Sequence, residues 1–221
     1  MASVKEIIAH RVAQELEDGY VVNLGIGLPT MVANYVPEGI DISLQSENGI
    51  IGMGGTSEPG KEDKDTINSG AVHVDVIPGA AFFDSATSFG IIRGGHVDMT
   101  VLGALQVDAE GNLASHIIPG KMVPGMGGAM DLVVGAKKVI IAMTHTNKGA
   151  VKIFNKISLP ATALKCVDMI VTEMGVIEVT PEGLELKELA PGVSVEDIQA
   201  VTEPKLIVKG TPKTMVMPPE A

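Results

Sequence analysis

The chain has 221 residues, 45% of them hydrophobic and 19% charged, with a mean hydropathy of +0.30. That is enough apolar side chain to bury the core of one α/β domain, and too much for a disordered segment. A formal net charge of −11, a pI of about 4.8 and only 3% aromatic residues exclude a nucleic-acid partner and an anionic membrane surface.

In chain order, Ser3 and Glu6 form an S-x-x-E capping box. Ile7, Ile8, Val12 and Leu16 follow at helical spacing, with Gly19 as the expected stop. Lys5, Glu6, His10, Arg11, Glu15, Glu17 and Asp18 make this segment too charged for a secretory leader, and no apolar run reaches the ~18 residues of a membrane span. The expected compartment is the cytoplasm. Residues 20–24 read as a short apolar strand, which runs through Gly25-Ile26-Gly27-Leu28 into a helix with Pro29 in its first turn. A second strand is expected over 41–46, then a loop over 47–69 rich in glycine and charge.

Residues 72–77 alternate like a strand, and Asp84 is placed to cap a helix through Ile92 and Arg93 that Gly94-Gly95 ends. Residues 99–105 and 138–143 read as buried strands, 169–172 and 176–179 as further strands, and 194–201 as a short helix. Strands and helices mix along the whole length, and the buried-type strands predict an open, largely parallel sheet flanked by helices. The chain reads as a single domain over 1–221, with a Pro-rich tail at about 210–221 expected to be peripheral.

Candidate chemistry is sparse. The lone cysteine, Cys166, lies among Leu164, Val167, Met169 and Ile170 and reads as a buried small hydrophobe, so neither a disulfide nor a multi-cysteine metal cluster is available. The histidines at 10, 73, 96, 116 and 145 have no ligand spacing, and no metal is expected. His96, two residues before Asp98 and beside Arg93-Gly94-Gly95, is explained by a helix stop and a strand start. Gly25-x-Gly27 fails the dinucleotide fingerprint, because the third glycine would stand at Thr30. It is either a glycine turn open to a ligand or a plain tight turn. Neither a Walker A nor a G-x-S-x-G motif occurs.

Two segments stand out. In Leu44-Gln45-Ser46-Glu47-Asn48-Gly49-Ile50-Ile51-Gly52-Met53-Gly54, a carboxylate falls where an apolar strand ends, the place where α/β sheets open into their ligand crevice. Glu47 is therefore either a nucleophile or base, or a solvated turn residue. In Pro124-Gly125-Met126-Gly127-Gly128-Ala129-Met130-Asp131-Leu132, consecutive glycines could turn main-chain N–H groups onto an oxyanion, or simply let backbones pack closely.

Together these motifs resemble the β subunit of the family I CoA-transferases, for which Ser46-Glu47-Asn48-Gly49 matches the catalytic signature. The resemblance runs nearly end to end through Val22-Asn23-Leu24-Gly25-Ile26-Gly27-Leu28-Pro29, Ser88-Phe89, Ile92 to Asp98, Leu102 to Val107 and Ile118 to Leu132. The last 30 or so residues match loosely. It implies Glu47 as the nucleophile of a glutamyl-CoA thioester and the Gly128 N–H as an oxyanion donor. Asn23, Gly25, Gly27 and Gly127 would line the substrate and CoA crevice. It implies CoA as a substrate with no prosthetic group or metal, and a companion α subunit in an α2β2 assembly with the site between the halves. Where the family often carries a lysine after Asn68-Ser69-Gly70, this chain has Ala71, leaving Lys121 or Lys148 as candidate replacements for a CoA contact. The expected substrates are acetoacetate with acetate or butyrate, with succinyl-CoA and a 3-oxoacid as the second choice. An acyl-CoA hydrolase or a non-catalytic ligand-binding module on the same fold are the alternatives.

Overall fold

The computed structural model describes residues 2–121 and 125–219; Met122, Val123 and Pro124, the last of them the first residue of the second glycine motif, lie outside them. Helix α1 (Val4–Ala13) starts as the capping box dictates: the Ser3 hydroxyl accepts from the Glu6 N–H and the Glu6 carboxylate accepts from the Ser3 N–H. It stops at Gln14, earlier than Gly19, which sits instead in the turn before the first strand with φ +80°.

The sheet has ten strands: β1 (Val21–Leu24), β2 (Ser43–Ser46), β3 (Ile50–Thr56), β4 (Val74–Phe82), β5 (Met99–Leu102), β6 (Lys138–Ala142), β7 (Met169–Val171), β8 (Gly175–Thr180), β9 (Gly183–Leu189) and β10 (Lys213–Thr214). Their spatial order is β10-β9-β8-β7-β6-β5-β1-β2-β3-β4. The centre, β7-β6-β5-β1-β2, is parallel, while β3 and β4 on one flank and β8 and β9 on the other pair antiparallel. The chain leaves β1 toward β2 on one side and returns as β5 on the other. The carboxyl end of β1 is thus the switch point where such sheets open a crevice.

The expected loop over 47–69 is corrected: β3 occupies seven of its residues, hydrogen-bonded to both β2 and β4. The tail is not wholly peripheral either. Lys213–Thr214 pair in parallel with β9, and Met215 beside them is buried.

Alternation sorts the strands' side chains to two faces. Val22, Leu24, Met99, Val101 and Ile140 pack under Ile8, Ala9 and Val12 of α1. On the other face Val139, Ile141, Ile170 and Ile177 bury with Ile198 of α4 (Val195–Ala200). Helix α2 (Ser85–Arg93), capped by the Asp84 carboxylate on the Thr87 N–H, packs with α3 (Ala129–Gly135) through Ile92 and Leu132.

One charge network pins α1 to the sheet. The Arg11 guanidinium, 5% exposed, is bidentate on Glu188 at 2.7 and 2.8 Å and reaches Glu15 at 2.7 Å; Lys138 closes on Glu15 at 2.6 Å. Burial alone would raise the Glu15 carboxyl, but hydrogen bonds from Lys138 and Arg11 overcome it and hold it below the ordinary carboxylate value. Arg11→Met strands Glu188 without its partner and is expected to cost about 3–5 kcal/mol in urea denaturation at pH 7. A depressed carboxyl stabilises fully above its unfolded value of about 4.3 and loses that contribution as pH falls through the folded value. The wild type should therefore weaken on acidification below about pH 4.3, and the difference from Arg11→Met should shrink there. A stability change under 1 kcal/mol at pH 7 would show the network to be no more than a surface pairing.

Candidate active site

Strand β2 ends at Ser46 and a three-residue connection turns the chain back into β3, with Ser46 paired opposite Ile50. The Gly49 N–H donates to the Ser46 carbonyl at 3.0 Å, and Gly49 takes φ +122°, open to glycine and strained for other residues. Glu47 therefore projects from the tip of a short hairpin at the carboxyl edge of the sheet, beside the switch point. Asn48 is tied down by its side-chain amide, which donates to the Ile67 carbonyl at 2.7 Å, and the Ser69 N–H donates to the Ser46 hydroxyl at 3.0 Å.

The Glu47 carboxylate is half-buried, and its Oε2 accepts from Asn23 Nδ2 at 3.2 Å. Asn23, 1% exposed on β1, gives the same amide to Gln45 Oε1 at 2.7 Å and to the Gln45 carbonyl at 3.2 Å. Gln45 in turn donates to the Ser88 hydroxyl of α2 at 3.0 Å. Asn23 faces Gln45 on β2 and Thr100 on β5 in register, so a buried polar strip runs across three strands under Glu47. Asn23 Oδ1 and Thr100 Oγ1 are buried there with no partner among the described residues.

Gly128, the residue preceding α3, closes the other side. A Cβ built on it would lie 2.9 Å from Glu47 Cγ and 3.4 Å from its Cδ and Oε1, a space only glycine leaves free. Glu47 and Gly128, 81 positions apart (128 − 47), thus meet at one sheet edge. Gly127 beside it is exposed with φ +55°.

Gly25 continues β1, donating its N–H to the Val101 carbonyl at 2.8 Å. Gly27, exposed, starts the turn into a 3₁₀ helix (Pro29–Tyr35) where an α-helix was expected to begin. The Gly27 turn and Ser46 line a cavity of about 310 Å³ with Ile26, Thr30, Met53 and the loop Asn68-Ser69-Gly70. Asn68 Oδ1 accepts the Gly70 and Val72 N–H groups, and Ala71 takes φ +59° on this rim. Lys121 and Lys148 are both exposed.

The other candidates lie apart from this chemistry. Cys166 is half-buried, and burial pushes its thiol up to about 11, so it stays protonated near neutral pH. His145 is fully buried between the hydroxyls of Thr172 and Thr202, and burial holds it down to about 4. His96 is exposed and lies against Gly94, while Asp98 accepts the Val21 N–H and pairs with Lys137. Among the described residues no three His, Cys, Asp or Glu side chains converge on a metal position. Gln45 and Ser88 lie within the motif segments, Gln45 just before the Ser46-Glu47-Asn48-Gly49 signature and Ser88 in Ser88-Phe89, but the sequence alone assigns neither a site role. The available signal was a polar residue placed mid-strand in each of two otherwise buried strands, Asn23 and Gln45.

The coenzyme A transferase family model matches residues 5–200. The chain is 56% identical to the acetate CoA-transferase subunit beta of Escherichia coli (strain K12) over 207 residues, covering 92% of this chain and 94% of that one. It is 47% identical to a subunit of the succinyl-CoA:3-ketoacid coenzyme A transferase of Helicobacter pylori (strain ATCC 700392 / 26695), covering 93% of this chain and all of that one. An acyl-CoA transferase apoenzyme from Escherichia coli O157:H7 superposes with a TM-score of 0.77 at 25% identity over 97% of this chain, which spans 43% of that longer one.

Proposed function

The chain belongs to the coenzyme A transferase family, and from that membership we propose that it is a β subunit carrying the nucleophile Glu47 and working with an α subunit. The observation that carries this reading is the Glu47 carboxylate at a sheet-edge hairpin, held by Asn23 and backed by Gly128.

In the proposed reaction, a Glu47 oxygen attacks the thioester carbonyl of an acyl-CoA. The C–S bond breaks, leaving an acyl-glutamyl anhydride and the CoA thiolate. The thiolate then attacks the Glu47 Cδ and expels the donor as a free carboxylate, forming the glutamyl-CoA thioester. An acceptor carboxylate attacks that thioester, and the same two displacements run backward to release the new acyl-CoA. Each step exchanges one activated acyl bond for another, so no ATP is consumed, and CoA is a substrate rather than a prosthetic group.

Every tetrahedral species carries an oxyanion, and a fixed donor at one is worth about 3–4 kcal/mol. The Gly128 N–H is the proposed donor from this chain, and a second comes from the companion subunit. The cavity beside Ser46 suits the neutral, amide-bearing pantetheine arm, with Gly27 on its lining letting the ligand approach the backbone. Gly25 and Gly127 remain proposed contacts outside that lining. With Ala71 where the family often has lysine, this position supplies no cation to CoA, and the exposed Lys121 or Lys148 is the proposed replacement.

The likeness at 56% identity favours acetate as one carboxylate, with acetoacetate or butyrate as the other; the succinyl-CoA:3-ketoacid likeness keeps that pair as the second reading. The test is reconstitution. The purified chain alone is expected to show less than about 1% of the exchange rate seen after adding its α subunit in an α2β2 assembly, because half the donor set is missing. A panel of acyl-CoA donors against carboxylate acceptors then ranks the substrates by kcat/KM. Full ping-pong turnover by the chain alone would sink the divided site, and release of free CoA without an acceptor would favour the hydrolase.

A further inference from the structure

The nucleophile is aimed from below. We propose that Gln45 is a positioning residue for the reaction, acting through Asn23 to orient the Glu47 carboxylate. This rests on Glu47 as the nucleophile and goes beyond it by naming what holds it.

Asn23 Nδ2 has two hydrogens and three oxygens around it: Gln45 Oε1 at 2.7 Å, the Gln45 carbonyl at 3.2 Å and Glu47 Oε2 at 3.2 Å. One hydrogen goes to Gln45 Oε1, and the other is shared between the Gln45 carbonyl and the carboxylate. Turning the Asn23 amide over would set its Oδ1 against all three oxygens, and that oxygen is already unpartnered and buried. All three oxygens favour the same amide orientation, and the shortest contact, to the Gln45 side chain, makes Gln45 the strongest of the side-chain groups that hold Asn23 toward Glu47.

Gln45 has its own anchor. Its Nε2 donates to Ser88 Oγ at 3.0 Å, and Ser88, on α2, is 0% exposed. That helix is held at its start by Asp84. A rigid chain of contacts thus runs from α2 through Ser88, Gln45 and Asn23 to Glu47. All three members below Glu47 are at most 1% exposed. A buried amide in such a strip costs stability unless every group is paired, and leucine or methionine would fill the same space without that requirement. One buried amide donating to a half-buried carboxylate, with a second buried amide behind it, makes sense as orientation: Glu47 must present one oxygen to the thioester in the first step and its own Cδ in the next. Displacement of a reacting group by about 1 Å can cost on the order of a hundredfold.

The experiment uses the assembled α and β subunits and a single-turnover reaction with acetoacetyl-CoA. Label on the Glu47 peptide is followed by mass spectrometry in wild type, Gln45→Met, Asn23→Ala and the double variant. Methionine keeps the volume and removes both the amide oxygen and the amide nitrogen. Gln45→Met is expected to slow Glu47 labelling by roughly tenfold to a hundredfold, with kcat falling by the same factor and KM within about twofold. The decisive sign is non-additivity: the double variant should label at the rate of Asn23→Ala alone, since Gln45 acts only through Asn23.

Ser88→Ala, a milder change that removes only the anchor, is expected to give a smaller loss of about threefold, and serves if Gln45→Met does not assemble. A Gln45→Met rate within twofold of wild type overturns the inference while leaving the Glu47 reading intact. So do losses that multiply in the double variant, or a Ser88→Ala rate equal to wild type where that variant stands in. Absence of label on Glu47 in wild type overturns the reading itself.

Discussion

Glu47→Gln is expected to lower CoA exchange by at least about a thousandfold in the assembled enzyme, the scale of loss seen when a covalent nucleophile is removed. Glutamine matches glutamate in size and still hydrogen-bonds, but it lacks the anionic oxygen that attacks the thioester in the proposed reaction. One local cost is foreseeable. The amide must turn its oxygen toward Asn23 Nδ2 to keep the 3.2 Å contact, which a glutamine can do. Fold and subunit assembly should therefore survive, with a thermal midpoint close to wild type. If Glu47 were a solvated turn residue, its replacement would move stability by no more than about 0.5 kcal/mol and leave activity untouched. Exchange within tenfold of wild type would overturn the assignment.

A chemical test sharpens the outcome. Given acyl-CoA and no acceptor, the wild-type complex should accumulate a CoA thioester that borohydride reduces or hydroxylamine captures, mapped to the peptide containing Glu47. The Glu47→Gln complex should carry none. Capture at Cys166 or Glu58 instead would move the nucleophile, and neither is prepared for the task. The Cys166 thiol is held protonated by burial, and Glu58 is an exposed carboxylate paired with Lys61.

Much of the architecture is legible because local chemistry decides it. The Ser3–Glu6 box, the Asp84 cap and the Ser194 start of α4 each satisfy orphan helix N–H groups with a side chain next door, so the signal is contained in four residues. The 138–143 run needs no partner to be recognised, since a strand covered on both faces is apolar throughout. Strand β3 is the opposite case. Ile50-Ile51-Gly52-Met53-Gly54-Gly55-Thr56 has the composition of a loop, and it becomes a strand because β2 and β4 supply its hydrogen bonds, with irregular register against β4 at Ile51/Met53 and Met53/Thr56. Strand β9 was legible in principle: Leu184 and Leu186 alternate with Glu185 and Lys187.

The candidate site divides in the same way. Glu47 and Gly128 are visible in the sequence because each sits in a motif, but that the two touch is a fact of the tertiary fold. It depends on β2 ending beside the start of α3, and no local pattern encodes that. The polar strip of Asn23, Gln45, Ser88 and Thr100 is harder still. Asn23 is a candidate from its motif, but its partners are not: the register of β1 against β2 and β5 sets Gln45 and Thr100 beside it, and the packing of α2 brings Ser88 to Gln45.

Gly128→Ala tests that tertiary fact with a single methyl group. The backbone at Gly128, with φ −81° and ψ 4°, is open to alanine, so strain in the chain does not enter. The main-chain N–H is also kept, so the donor proposed for the oxyanion is still present. What changes is space: the new Cβ lands 2.9 Å from Glu47 Cγ, closer than real contacts allow. Either the hairpin tip or the start of α3 must yield. The hairpin is bound through Asn48 to Ile67 and through Ser46 to Ser69, so the free movement is in the Glu47 side chain, whose carboxylate swings off Asn23. The expected result is a fall in kcat of roughly tenfold to a hundredfold with KM little changed. Stability should move by about 1 kcal/mol or less, since alanine is only a somewhat poorer start to a helix than glycine. A variant that loses more than about 3 kcal/mol would place the contact in the folding core rather than the site. One that keeps kcat within twofold would show that Glu47 works without the close approach of Gly128, and the pairing of these two residues would lose its functional meaning.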